Sequence, residues 1–340
     1  MNLDSISFKT PKWLINYYHF IGIISLIISS FGVYLILFKS WKLGRFRYFL
    51  LWFQISCVLT DISMTVLLQP VTLLPLWALY AVGYSWKCFR IPFRESTVFF
   101  QLHFSSFQLF FVLSIGELFA ALVCCFVVKH QTICKLENKF LIPRSMFNGC
   151  LIVAQTVIIT FVVFFYIAQN NGETAMNIVR ERYPSLVHEF QSLPTFQVFA
   201  ENRAYPVFLA LCALAGSLVI LVIGSSTLHM IHILNSNRRK ISGANFQRQQ
   251  QAVKSLAAQF LTSGLALVPP VICFLVIFLE PVYSQEISFF MCAVFSTHST
   301  VSCFVMILTS PEYRKILINK KKSSTAGPIV FQRVNSASFI

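Results

Sequence analysis

Read for polarity alone, the chain alternates between long apolar stretches and short segments that hold nearly all its charge. Seven apolar stretches stand out: Tyr17 to Phe38, Tyr48 to Gln69, Thr97 to Val128, Met146 to Ala168, Val207 to Ile233, Val253 to Leu279 and Ile287 to Thr309. A helix needs about 20 mainly apolar residues to cross the hydrocarbon of a bilayer, and each stretch reaches that length. The pattern predicts an all-α membrane protein, a bundle of seven transmembrane helices. Residues 1–16 form a short head, 17–309 the helical domain and 310–340 a tail expected to be disordered. The first stretch is too long for the core of a cleaved secretory signal. It ends at Phe38-Lys39 without a small-residue cleavage pattern, so it is expected to remain as a signal anchor.

Composition removes the main alternative. Hydrophobic residues make up 56% of the chain and charged residues 11%. An average soluble domain carries about 25% charged residues, so this chain cannot furnish a water-facing surface. Its solvent is the lipid bilayer.

The net charge of +15 would fit a nucleic-acid partner if it were gathered on one face, but it is distributed by topology. Most of the 27 basic residues fall in every second connection: Lys39, Lys42, Arg45 and Arg47 in the first, Lys129, Lys135, Lys139 and Arg144 in the third, Arg238, Arg239, Lys240, Arg248 and Lys254 in the fifth, with Arg314, Lys315 and the Lys320-Lys321-Lys322 run in the tail. The positive-inside rule then places the N-terminus outside and the C-terminus in the cytoplasm. An odd number of crossings demands the same separation of ends, so two independent readings agree. These residues anchor the bundle to anionic lipid heads or form a basic surface for a cytoplasmic signalling partner. No nucleic-acid partner is expected.

Ionisable groups within a membrane cost at least ~2.5 kcal/mol near a helix centre, so each requires an explanation. Three are expected to lie deep: Asp61, His103 and Glu117. Asp61 sits among hydroxyl neighbours in Leu59-Thr60-Asp61-Ile62-Ser63, which reads as a polar hub between helices, an ion site or a switch. In the third stretch His103, Ser106 and Glu117 share a sector of about 60° at helical spacing, while Gln101, Ser105 and Gln108 occupy another face. A helix that is polar on two sides suits the interior of a bundle. Gln101, His103 and Gln108 lie in its outer half and are the candidates to line a ligand pocket. Glu117 lies further in, as a packing or switch group. Pro70 and Pro75 near the end of the second stretch, and Pro269 and Pro270 within the sixth, predict kinks that are either static bends or hinges.

Several chemistries are excluded. No lysine lies in the core of any stretch, so a retinal-type Schiff base has no amine. Phosphate-binding glycine loops, HExxH, GxSxG and paired helical carboxylates are missing, and no enzymatic activity or cofactor is expected. The ten cysteines show neither a disulfide framework nor metal-ligand spacing. Cys88 alone is placed in an outside loop. Cys57, Cys150, Cys212, Cys273, Cys292 and Cys303 read as small buried hydrophobes. Cys124, Cys125 and Cys134 fall near the cytoplasmic face, where palmitoylation is a weak expectation.

Particular strings carry a family likeness. Thr60-Asp61-Ile62-Ser63-Met64-Thr65-Val66-Leu67-Leu68-Gln69-Pro70-Val71, with Leu74-Pro75-Leu76 and Tyr80-Ala81-Val82-Gly83, resembles the second-helix signature of nematode serpentine chemoreceptors. So do Tyr18-His19, Lys129-His130-Gln131, Val268-Pro269-Pro270 and Ser310-Pro311-Glu312-Tyr313-Arg314-Lys315. Within that superfamily the chain looks most like class I, with class H as nearest alternative. The resemblance implies a G-protein-coupled receptor of a chemosensory neuron, in the plasma membrane of a sensory cilium, for a small odorant or soluble cue.

The chain departs from rhodopsin-like receptors in having Val127-Val128-Lys129-His130 at the end of the third stretch and Ser310-Pro311-Glu312-Tyr313 after the seventh. Lys129, His130, Arg238, Arg239 and Lys240, with Arg314 and Lys315, are the residues expected near a heterotrimeric G protein. Two rivals remain at this stage: a seven-helix ligand-gated channel subunit of the insect odorant-receptor kind, and a membrane scaffold without a ligand.

Overall fold

A computed structural model of the protein describes residues 6–74, 76–83, 97–135, 137, 140–170, 172–193, 195–200, 202–239, 242–264, 271–272, 275–276, 279, 281, 283–310 and 313–314. Helix α1 (Lys12–Lys39) is followed by α2 (Phe46–Ile62), which runs on into a π-helical turn, Ser63–Leu68. Strands β1 (Pro70–Leu73) and β2 (Ala78–Ala81) come next, then α3 (Thr97–Cys134), α4 (Arg144–Ile167), α5 (Gly172–Arg182), α6 (Val187–Ser192), strand β3 (Phe196–Val198), α7 (Ala204–Ser236), α8 (Gly243–Gly264) and α9 (Ser284–Thr309). Six of the described helices are long and apolar enough to cross a membrane: α1, α2 with its π turn, α3, α4, α7 and α9. The expected stretch Val253 to Leu279 begins within α8, and part of it, including Pro269 and Pro270, lies outside the described residues.

Helix α3 occupies the middle of the bundle, packing against α2, α4, α7 and α8, while α9 packs against α1 and α8. The third stretch was expected to run through the interior on the strength of its two polar faces, and its packing agrees. The helix also continues past Val128 to Cys134. Lys129, His130, Gln131 and Thr132 end the apolar run but not the hydrogen-bond ladder, because polar residues are compatible with a helix once it leaves hydrocarbon.

The second stretch differs more sharply from its expected kink. Helix α2 does not bend at Pro70. It ends in the π turn, Gln69 takes a left-handed backbone with φ 44°, and Pro70 opens strand β1. Proline has no N–H to donate and is tolerated at the first position of a strand. The chain then returns along β2, and the N–H groups of Val82 and Gly83 bond the Leu68 carbonyl, which the helix end leaves without an intrahelical partner.

The long connection between α4 and α7 folds over this end as α5, α6 and β3. A three-stranded antiparallel sheet results, in the order β1-β2-β3, with Val71 opposite Tyr80 and Tyr80 opposite Phe196. Val71, Leu73, Leu76, Tyr80, Val179, Phe190 and Phe196 are buried there together with Leu14 and Tyr18 of α1 and Phe289 of α9. The head joins the same structure. Ser7 and Gln285 exchange two hydrogen bonds of 2.9 and 2.8 Å, and Phe8 meets the Phe190 ring edge-on.

Candidate functional site

Polar contacts inside the bundle form separate layers, and the deepest is centred on Asp61. Its side chain is 4% exposed, and Ser25 of α1 donates to Oδ2. From α9, His298 lies within electrostatic reach and Ser299 beside it, both buried. His298 Nδ1 lies 2.9 Å from the Phe295 carbonyl, while its Nε2, Ser29 Oγ and Ser302 Oγ are buried without a hydrogen-bond partner among the described residues. A carboxylate ringed by hydroxyls and one imidazole can hold a proton or a small cation, and each neutralises its buried charge. His298 corrects the sequence reading, which counted only three deep ionisable groups. It is hidden among Ser296, Thr297, Ser299 and Thr300 in a stretch that passes as apolar on average.

Nearer the head end, Gln108 is drawn into a buried network. Gln169 donates to Gln108 Oε1 at 3.0 Å, Ser105 donates to Gln169 Oε1, and Gln197 of β3 donates to Ser105 at 3.4 Å. The folded connection thus plugs into α3 at the level where ligand contact was expected. Gln101 and His103 belong to the first turns of α3, and their side chains lie outside the described residues. Within the cap, burial pushes the Tyr80 phenol above its ordinary value, and its hydroxyl meets Thr10 at 3.3 Å.

Glu117 ties three helices together. Trp52 of α2 donates to its Oε2 at 3.1 Å and Gln155 of α4 donates to the same oxygen at 3.3 Å. Two donors on one carboxyl oxygen hold α2 and α4 to α3 at this level.

At the opposite, basic end, neighbouring helices are joined by a few polar contacts. Lys129 donates to Gln249 of α8 at 2.7 Å, and His130 meets His229 of α7 at 2.7 Å. Asn237 donates to Glu137 at 2.6 Å, and the Ser255 and Thr309 hydroxyls join α8 to α9 at 2.7 Å. Ser40 donates to the Leu35 carbonyl, so the Tyr313 hydroxyl, 2.6 Å away, donates to Ser40. Arg238 and Arg239 are exposed, with the Arg238 guanidinium 5.7 Å from the Phe246 ring centre, and Arg314 is exposed beyond α9. Lys240 and Lys315 lie outside the described residues.

Of the cysteines, Cys57 and Cys303 are buried as expected and Cys292 partly so, but Cys150 and Cys212 are exposed on the outer faces of α4 and α7. Cys124, Cys125 and Cys134 are buried, which leaves no free thiol on the surface for an acyl chain at those positions. Cys88 and Cys273 lie outside the described residues. Between α4 and α7 an apolar groove of about 350 Å³ is lined by Val153, Val157, Phe161, Phe164 and Leu211. Val153 and Val157 on its wall are exposed on the outer side of α4.

These helices, apolar outside and joined by polar layers within, define a polytopic helical membrane protein. Residues 4–317 match the family described as serpentine type 7TM GPCR chemoreceptor Sri, and the chain belongs to that family of nematode serpentine chemoreceptors. It is therefore a multi-pass, seven-transmembrane receptor with a chemosensory role, in a family of receptors and not of enzymes. No curated protein matches the chain.

Proposed function

We propose that this chain binds a small external cue and answers it by activating a heterotrimeric G protein. The observation that carries the proposal is the family match across nearly the whole chain, since a chemoreceptor of the seven-helix G-protein-coupled type requires both partners. In this reading the head and the sheet cap face the exterior, the basic end faces the cytoplasm, and the protein resides in the plasma membrane of a sensory cilium. The charge distribution supports that orientation. Gln108 and its network lie beneath the cap and report on what enters there, with Gln101 and His103 nearby on the same helix.

Signalling follows from a difference in affinity between two helix arrangements, because a ligand that binds both equally shifts nothing. A few hydrogen bonds join the helices at the basic end, each worth about 0.5–3 kcal/mol net, so they can exchange without unfolding the bundle. Lys129, Arg238, Arg239 and Arg314 lie at the surface a G protein would meet.

The test is a chemical panel applied to cells that express the chain with a second-messenger reporter. The expected result is a cue whose response disappears when the G protein is deleted. A response that survives the deletion, together with an N-terminal tag inaccessible in intact cells, would favour a channel instead.

A further inference from the structure

One cluster of ligand-type side chains lies within the basic-end layer that the receptor reading uses for signalling. His130 and Cys134, four residues apart on α3, share one helix face, and His229 reaches them from α7. His130 Nε2 lies 2.7 Å from His229 Nδ1, Cys134 Sγ lies 3.5 Å from each nitrogen of His130, and one donor atom from each residue falls within 4.8 Å of the others. Cys134 is buried and both histidines are half-buried. The surroundings hold the rings in place: Phe140 packs edge-on to His229 at 5.3 Å, and Gln131 beside His130 binds the backbone of Phe140 and Ile142.

The geometry points to a zinc site in which His130, Cys134 and His229 clamp α3 to α7. Two nitrogens on a tetrahedral zinc are spaced by about 3.3 Å, and a nitrogen and a sulfur by about 3.6 Å, from ordinary Zn–N and Zn–S lengths. The sulfur already sits at that distance from His130 and lies within 4.8 Å of His229. The imidazoles need to part by about 0.6 Å, which happens when a metal replaces the hydrogen bond between them. A thiolate with two imidazoles selects zinc over magnesium or calcium, and three protein ligands leave the fourth position to water. Binding releases the Cys134 thiol proton to solvent. Both imidazoles stay neutral, and the ring proton of His130 moves to Nδ1, which gives up its 3.4 Å contact with the Gln131 amide nitrogen because both are then donors. Resting on the proposed orientation, the site lies in the reducing cytosol, where a thiol persists. There the clamp opposes separation of α3 from α7, and zinc lowers signalling.

The full chain in lipid nanodiscs, titrated with Zn²⁺ against a chromophoric chelator, is expected to take up one equivalent. Cys134→Ser and His229→Gln should each weaken uptake at least tenfold and abolish the rise in melting temperature that zinc gives the parent. Undiminished uptake by the double variant would overturn the site. If the variants do not fold, Co²⁺ in the unaltered protein decides: a tetrahedral spectrum with a thiolate charge-transfer band supports the site, and its absence sinks it. Zinc uptake in a chain that couples to no G protein would leave the site standing and reject the receptor reading. Uptake without any change in signalling would reject the clamp.

Discussion

Helices α2 and α9 each bury 56% of their most apolar window inside the bundle, whereas α4 buries 6% and α7 11%. The less buried pair is also the more apolar, with mean hydropathy of 2.5 and 2.8 against 1.6 and 1.7. In water the relation would be reversed. Lipid is as apolar as leucine, so the hydrophobic effect does not drive these helices together, and hydrogen bonds and close packing decide which of them go inside. Asp61, Ser56, Ser299 and His298 belong to the inner pair, while Ile159 and Leu218 belong to the outer pair.

Glycine draws the sharpest contrast between the packed cap and the outer helices. A Cβ at Gly83 would lie 2.3 Å from the Leu67 carbonyl oxygen, whereas one at Gly216 on α7 would meet nothing within 4 Å. Gly83→Ala is therefore expected to produce the largest loss, about 3 kcal/mol or more, because backbone and not a flexible side chain must yield. It would appear as loss of the monodisperse peak of the detergent-solubilised protein. An alanine that left the peak intact would detach the cap from the π turn.

Ile159→Arg follows, at about 2.5–3.5 kcal/mol of insertion cost, read in a membrane-insertion assay. Full insertion would mean that the α4 face is covered by protein. Glu117→Gln should cost about 1–2 kcal/mol and couple with Trp52→Phe in a double-mutant cycle, where strict additivity would dissolve the three-helix tie. Tyr313→Phe removes one hydrogen bond to Ser40, for about 1 kcal/mol in thermal melts. Gly216→Ala should fall within about 0.5 kcal/mol of the parent, and a larger effect would place a neighbour on α7 where none is described.

The apolar stretches located the helices well because lipid imposes a long, simple signal. Met146 to Ala168 became Arg144–Ile167, and Ile287 to Thr309 became Ser284–Thr309. What hydropathy detects is the edge of the hydrocarbon and not the end of a helix, so α3 extends past its apolar run to Cys134. The sheet left no such trace. β1 and β2 have four residues each, and β3 joins them from the far connection. Gln108 and Glu117 were legible as interruptions of an apolar pattern, but their partners Gln169, Gln197, Trp52 and Gln155 were not, because pairing is set by tertiary contact. The same applies to His229, whose partners are two residues on another helix.

The π turn at Ser63–Leu68 has one consequence for movement. Such a turn carries about one residue more than an α-helix of equal length, so gliding of the extra residue along the rod would change the register of the segment it passed. Each step of one position would rotate the segment it passes by about 100° about the axis. Deleting one residue between Ser63 and Leu68 would remove the extra residue, and unchanged signalling in that variant would show that it never glides. If it does glide, α2 transmits torque, turning Asp61 relative to the strand that begins at Pro70 without either end leaving its place.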